Sequence, residues 1–150
     1  MIIDDAHFNQ MIDFLCTDLP NQYDCIIGLK RGGLVPAVHL SHRLNIPMYV
    51  ADVTHELSKG DNLSWHDGLL PSIPEGQKIL IVDDIIDSGY TLAVCAEYYK
   101  NTNDVDIGVL VAKTSAIQIC EHHVKNVVAA VIISDDAPFV YFPWEVKPGV

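Results

Sequence analysis

The chain has 150 residues, 49% of them hydrophobic, and 9 Lys and Arg against 20 Asp and Glu give a formal net charge of −11. That size suits one globular domain, 1–150, with its own core, and that charge repels a phosphate backbone, so nucleic acid is excluded as an expected partner. No apolar run approaches the roughly 18 residues of a membrane span, the opening MIIDDAHFNQ is acidic where a signal peptide would be basic, and Cys16, Cys25, Cys95 and Cys120 show neither CxxC nor metal-finger spacing, so a cytoplasmic protein with reduced thiols is expected.

Phe8, Met11, Ile12 and Leu15 recur at helical spacing after the acidic Asp4 and Asp5, which predicts an opening amphipathic helix ending near Leu19 and Pro20. Tyr23 to Leu29 reads as a buried strand. The basic glycine loop Lys30, Arg31, Gly32, Gly33 then leads into a helix from about Leu34 to Leu44, with Pro36 in its first turn. Met48 to Val53 reads as a second strand. Between Thr54 and Gln77 the pattern breaks, with glycines and prolines scattered through about two dozen residues, and a loop that long in a compact domain is either a functional lid or a disordered segment; a flexible lid over about 54–77 is the expectation. A third strand at Ile79 to Val82, a helix at Leu92 to Tyr99, and strands at Val105 to Ala112 and Val127 to Ile133 complete the series. Alternating strands and helices predict an α/β fold, a mostly parallel twisted sheet flanked by helices.

The segment ILIVDDIIDSGYTL at 79–92 carries the most chemistry. Its apolar strand delivers Asp83 and Asp84 to the carboxyl end, where open α/β sheets bind ligands. Asp87, Ser88, Gly89, Tyr90 and Thr91 then place backbone amides at a helix start, which favours a phosphate. A plain capping turn needs one acid, whereas three acids in five positions repel one another unless a cation or a polyhydroxyl ligand offsets them. The site expected is therefore one for a ribose phosphate, with Asp83 and Asp84 as sugar-hydroxyl or Mg²⁺ ligands.

Basic residues inside such a site carry weight in so acidic a chain. Lys30 and Arg31, beside Gly32 and Gly33, can hold a second phosphate group. Lys113 follows the apolar run IGVLVA and falls on the same predicted edge as Asp84, where an ammonium can donate to a carbonyl oxygen. Phe139, within the aromatic cluster 139–144, could stack on a planar base. His39, His42, His122 and His123 lack metal spacing and read as surface or packing residues. A phosphoacceptor receiver is disfavoured because too little chain follows Asp84, and a nucleoside triphosphatase because no GxxxxGK[ST] loop is present.

Four stretches in order, IIGLKRGGLVPA, ILIVDDIIDSGYT, VAKTSA and FVYFPWE, resemble the type I phosphoribosyltransferases, and among them the 6-oxopurine enzymes of the short bacterial xanthine-guanine type. The resemblance implies a small C-terminal hood over about 134–150 and transfer of the phosphoribosyl group of phosphoribosyl pyrophosphate to guanine, xanthine or hypoxanthine, with Mg²⁺ as cofactor and a homo-oligomer, dimer or tetramer. It implies that Asp83 and Asp84 meet the ribose hydroxyls or Mg²⁺, that Ser88 to Thr91 cradle the 5′-phosphate, and that Lys30, Arg31 and Gly32 bind pyrophosphate. Lys113 would donate to the 6-oxo group, Phe139 would stack on the ring, and the backbone at Val140 and near Glu145 would meet the 2-substituent. Asp87 is the expected catalytic carboxylate, stabilising positive charge on the sugar or accepting a purine proton, and the Lys30–Arg31 peptide is expected to be cis. The pattern departs from the family in the loop, where Ser64–Trp65 is the nearest analogue of a Ser-Tyr pair, and at Tyr90, often a smaller residue. A regulatory protein of the same fold, binding the ligand without turnover, is the alternative reading.

Overall fold

The computed structural model describes the backbone of residues 1–57 and 63–145 and, apart from positions 54–67, their side chains. The elements are α1 (Asp5–Asp18), β1 (Cys25–Leu29), α2 (Leu34–Leu44), β2 (Met48–Leu57), β3 (Leu63–Leu69), β4 (Lys78–Ile86), α3 (Tyr90–Tyr99), β5 (Asp104–Lys113), α4 (Thr114–Glu121) and β6 (Val127–Ile133). The six strands form one sheet in the order β3-β2-β1-β4-β5-β6. β3 alone runs antiparallel, against β2.

The central strands are buried on both faces, and their alternation decides which core each side chain enters. Ile79 and Ile81 of β4 join the cluster under α3 and α4, with Cys95 and Cys120. Leu80 and Val82 join the opposite cluster, which receives Phe8, Ile12 and Leu15 from α1 and Leu40 from α2. A run of consecutive apolar residues is what a parallel strand between two helical layers requires. Truncating a fully buried Ile81 to Ala would cost about 2–5 kcal/mol from lost transfer energy and the cavity left behind.

Local signals set the helix ends. Asp4 caps α1, its side chain accepting from the His7 amide at 2.8 Å, which satisfies one of the donors left over at a helix start. Asn45, in left-handed conformation with φ 54°, ends α2. The cysteines are all free, and no helix among the described residues is long and apolar enough to cross a membrane.

Two expectations need correction. The pattern does not break at Thr54: β2 continues to Leu57 and pairs with β3, with a register shift between Thr54 and His55. The backbone pairs there despite the weak strand propensity of Asp67 and Gly68, because main-chain donors and acceptors must be satisfied whatever the side chains prefer. Within the expected 54–77 lid, 54–57 and 63–69 are thus paired antiparallel strand, while 58–62 and the side chains of Ser64 and Trp65 lie outside the described residues. The second correction is α4, a helix unforeseen in the sequence.

Beyond β6 the chain folds over the sheet edge as the hood. Ile3 donates to the Tyr141 carbonyl and Tyr141 to the Met1 carbonyl, both at 2.9 Å, so the first residues form a short parallel bridge with the hood. Phe142 stacks on Trp144 at 5.0 Å and Phe8 of α1 meets Trp144 edge-on at 5.4 Å. The residues after Glu145 lie outside the description.

Candidate active site

The chain leaves β1 toward β2 on one side and returns through β4 on the other, so the strand order reverses between β1 and β4. At such a switch point the loops after the two strands diverge and leave a crevice at their carboxyl ends. The loop after β1 brings Lys30 to Gly33 there, β4 ends at Asp83 to Ile86, β5 ends at Lys113, and β6 leads into the hood. Three adjoining cavities line this edge. One of about 650 Å³ is bounded by Arg31, Gly32, Asp84, Tyr141 and Trp144. The second, of about 330 Å³, lies between Asp87, Lys113, Phe139, Val140 and Phe142. Phe139 and Glu145 border both. A third, of about 90 Å³, is lined by Asp83, Asp87, Ser88, Gly89 and Thr91 and shares Ile85 and Asp87 with the second.

The paired acids are held by the backbone. Asp83 Oδ1 accepts from the Asp84 amide at 2.9 Å, and Asp84 Oδ1 from the Ile85 amide at 2.8 Å. Burial, then the charge of Asp84, pushes the Asp83 carboxyl well above the usual carboxylate range. Burial raises Asp84 as well, with Glu145 adding to it. Two half-buried carboxylates that resist ionisation are the chemical setting a divalent cation or a set of sugar hydroxyls relieves. Gly32 is what lets the loop lie against them, since a Cβ at that position would fall 1.9 Å from Asp84 Oδ2.

Asp87 and Lys113, 26 positions apart, meet directly: Lys113 Nζ lies 2.5 Å from Asp87 Oδ1. The carboxylate is 70% exposed and the ammonium 26%, so the pair sits at the mouth of the second cavity with its acid turned outward. Phe139, 67% exposed, stands on the wall between the two larger cavities, its ring 4.8 Å from Tyr141. Glu145 Oε2 accepts from the Phe142 amide at 3.0 Å and its own amide donates to the Phe142 carbonyl at 3.0 Å, which closes the hood turn.

Most of the residues singled out in the sequence are therefore brought together, with three differences. Lys30 is exposed and borders none of the three cavities; its amide is used on the Ala51 carbonyl. Gly33 is buried, and a Cβ there would meet the Val82 and Leu29 carbonyl oxygens at 2.6 and 2.7 Å, so it serves strand–helix packing. Tyr90 begins α3 without lining the small cavity, whereas the Ser88 hydroxyl accepts from the Tyr90 amide at 3.4 Å. The Lys30–Arg31 peptide is cis. Sequence reasoning gave no site role to Ile85, Tyr141 or Trp144. Ile85 sits inside the acidic signature, and the two aromatics belong to the cluster noted at 139–144, so a signal existed for each.

Residues 4–147 match the family described as Phosphoribosyl transferase domain. A xanthine-guanine phosphoribosyltransferase of Idiomarina loihiensis is 29% identical over 128 residues, covering 83% of this chain and 72% of the relative. That of Cereibacter sphaeroides is 29% identical over 129 residues, covering 80% and 68%. Among solved structures, the purine phosphoribosyltransferase from Pyrococcus horikoshii superposes with a TM-score of 0.75 at 29% identity, covering all of this chain and 96% of that one.

Proposed function

The chain belongs to the phosphoribosyl transferase family and is a phosphoribosyltransferase, and on that premise we propose that its acceptor is a 6-oxopurine base, joined to the phosphoribosyl group of phosphoribosyl pyrophosphate with release of pyrophosphate. The observation that carries this reading is the Asp87–Lys113 pair at the mouth of an aromatic-walled cavity. A 6-oxopurine protonated at N7 presents a carbonyl acceptor and an N–H donor side by side. An ammonium beside a carboxylate is their complement: Lys113 has three N–H donors, so it can keep Asp87 and still donate to the 6-oxygen, while Asp87 takes the proton at N7. Adenine would bring an amino donor against the ammonium, which disfavours it. The three xanthine-guanine and purine enzymes above point the same way.

The sugar phosphate fits the rest of the edge. Its 5′-phosphate goes to the small cavity at Ser88 to Thr91, where the start of α3 supplies amides and a dipole. The ribose hydroxyls go to Asp83 and Asp84, and the pyrophosphate to Arg31 and the backbone at Gly32, where a guanidinium can fork onto phosphate oxygens. As pyrophosphate leaves, positive charge develops on the sugar, and Asp87 with the two acids of β4 stabilises it. Asp83 and Asp84 also suit Mg²⁺, which is held by one or two carboxylates together with substrate oxygens rather than by a full protein cage. When bound, the cation would neutralise the leaving pyrophosphate. Phe139 covers one face of the base, and the hood turn held by Glu145 positions the backbone near the 2-substituent.

The test is a panel of guanine, xanthine, hypoxanthine and adenine, each with phosphoribosyl pyrophosphate and Mg²⁺, on the wild type, Asp87→Ala and Lys113→Ala. Nucleotide should form from the 6-oxopurines, with turnover reduced in the first variant and selection against adenine reduced in the second. Equal rates in all three proteins, or adenine as the best acceptor, would reject the assignment.

A further inference from the structure

A second cavity region lies at the other end of the sheet, where the parallel strands begin. It has a volume of about 570 Å³ and is lined by Lys78 at the start of β4, Lys100 at the end of α3 and Lys125 in the turn before β6. These are three of the nine basic residues in a chain of net charge −11. The overall field of such a chain repels anions, so one held at this end needs lysines close to it, and this cavity brings three to one place beside acids that can take hydroxyls. Lys100 shares Glu97 with His123, each at 2.5 Å. Lys78 and Lys125 have no ion-pair partner among the described residues, and the acids lining the cavity are Asp104 and Asp106.

Asp106 gives the cavity its second chemical feature. The residue is 5% exposed, and its carboxylate is held by three neutral donors from two parts of the chain, the connection between α1 and β1 and the turn before β6. Asn21 Nδ2 and the Tyr23 hydroxyl donate to Oδ2 at 2.8 and 2.7 Å, and Asn126 Nδ2 donates to Oδ1 at 3.0 Å. Burial, with Asp106 adding to it, keeps the Tyr23 phenol far above its ordinary range, so it stays a donor to the carboxylate. A carboxylate accepts about four hydrogen bonds. Three are taken, which leaves one acceptor position unused on a carboxylate that lines the cavity. Nothing in the transfer chemistry at the opposite edge uses this network.

From this juxtaposition of lysines around a fixed, incompletely used carboxylate, we propose that the cavity is a second ligand site that takes a sugar phosphate, its phosphate on Lys78 and Lys125 and a hydroxyl on Asp106. The volume lies within the range of small-molecule sites. The mixture of charges selects the ligand: a bare anion leaves the remaining lone pair of Asp106 unused, and an uncharged sugar leaves the lysines unpaired. The site does not rest on the identity of the acceptor base at the other edge.

The experiment is a titration of the full, ¹⁵N-labelled chain with ribose 5-phosphate, followed by amide chemical shifts, with inorganic phosphate in a parallel arm. The two edges report separately. Saturating shifts are expected at Lys78, Lys125 and Asn126, distinct from those at Asp83 to Thr91, and inorganic phosphate should saturate the former only at higher concentration. In the doubly substituted Lys78→Ala, Lys125→Ala chain, whose changes fall on exposed side chains, the dissociation constant read at Asn126 should rise about tenfold or more, as the loss of a charged hydrogen bond implies. The constant read at Ser88 should stay as it is. Shifts confined to 83–91, equal binding of inorganic phosphate, or unchanged binding at Asn126 in the double variant would each overturn the proposal.

Discussion

Replacing Gly32 by Ala tests the arrangement of the acidic strand end directly. The added Cβ would lie 1.9 Å from Asp84 Oδ2 and 2.5 Å from its Cγ, against the 3.0 Å below which real Cβ contacts essentially never fall. A deficit of that size cannot be absorbed by small adjustments, so either the loop or the carboxylate must move. Moving the carboxylate breaks its bond from the Ile85 amide, at about 1.5–3 kcal/mol for a hydrogen bond to a charged group. A loss near 2 kcal/mol lowers the melting temperature of a chain this size by about 4–8 °C. The effect on catalysis should be larger, because misplacing a substrate-binding group by about 1 Å costs on the order of 100-fold. Differential scanning calorimetry with and without Mg²⁺, and kcat/KM from nucleotide formation, give the two readouts. Wild-type kcat/KM in a folded Gly32→Ala protein would refute the role assigned to the Gly32–Asp84 contact.

Three further outcomes are expected. Asp87→Asn should lower kcat with a change in melting temperature below about 4 °C, because an ion pair whose acid is 70% exposed contributes at most about 1 kcal/mol; calorimetry and initial rates on one preparation separate the effects. Asp83 has its folded-state pKa raised above the ordinary value, so the native state holds more protons than the unfolded one across the intervening window, and stability falls as pH rises through it. Asp83→Asn should remove that slope and raise the melting temperature at neutral pH, as thermal unfolding across a pH series will show; an unchanged slope would contradict the burial argument. Gly89 has φ 85°, and a Cβ there would meet the Ala116 carbonyl at 2.8 Å, so Gly89→Ala should destabilise by about 1–3 kcal/mol and weaken binding of phosphoribosyl pyrophosphate by calorimetry.

The central strands β1, β4 and β5 were legible because burial on both faces leaves unbroken apolar runs, and β6, though half-buried, has the limits its composition predicts. α4 was not. Only Ala116 and Cys120 of its eight residues are buried, and Thr114, Ile117 and Ile119 are β-branched, so neither periodicity nor propensity marks it. β3 was hidden for a related reason, since its pairing is a property of the backbone that Asp67 and Gly68 do not advertise. At the candidate site, residue types close to one another in sequence could be assigned in advance. The Asp87–Lys113 contact could not, because it depends on β4 and β5 lying side by side and ending together. The packing role of Gly33 likewise follows from how closely the start of α2 approaches the sheet.

The hood is anchored to the opposite terminus of the described chain: the Met1 ammonium donates to the Phe139 carbonyl at 2.8 Å, across 138 positions. The Phe139 wall of the cavity therefore has no fixed place until the segment after β6 has been made and has paired with residues 1–3. During synthesis on the ribosome, residues 83–91 emerge well before the hood, and on the function proposed above a polypeptide halted ahead of the hood would lack the wall of its acceptor pocket.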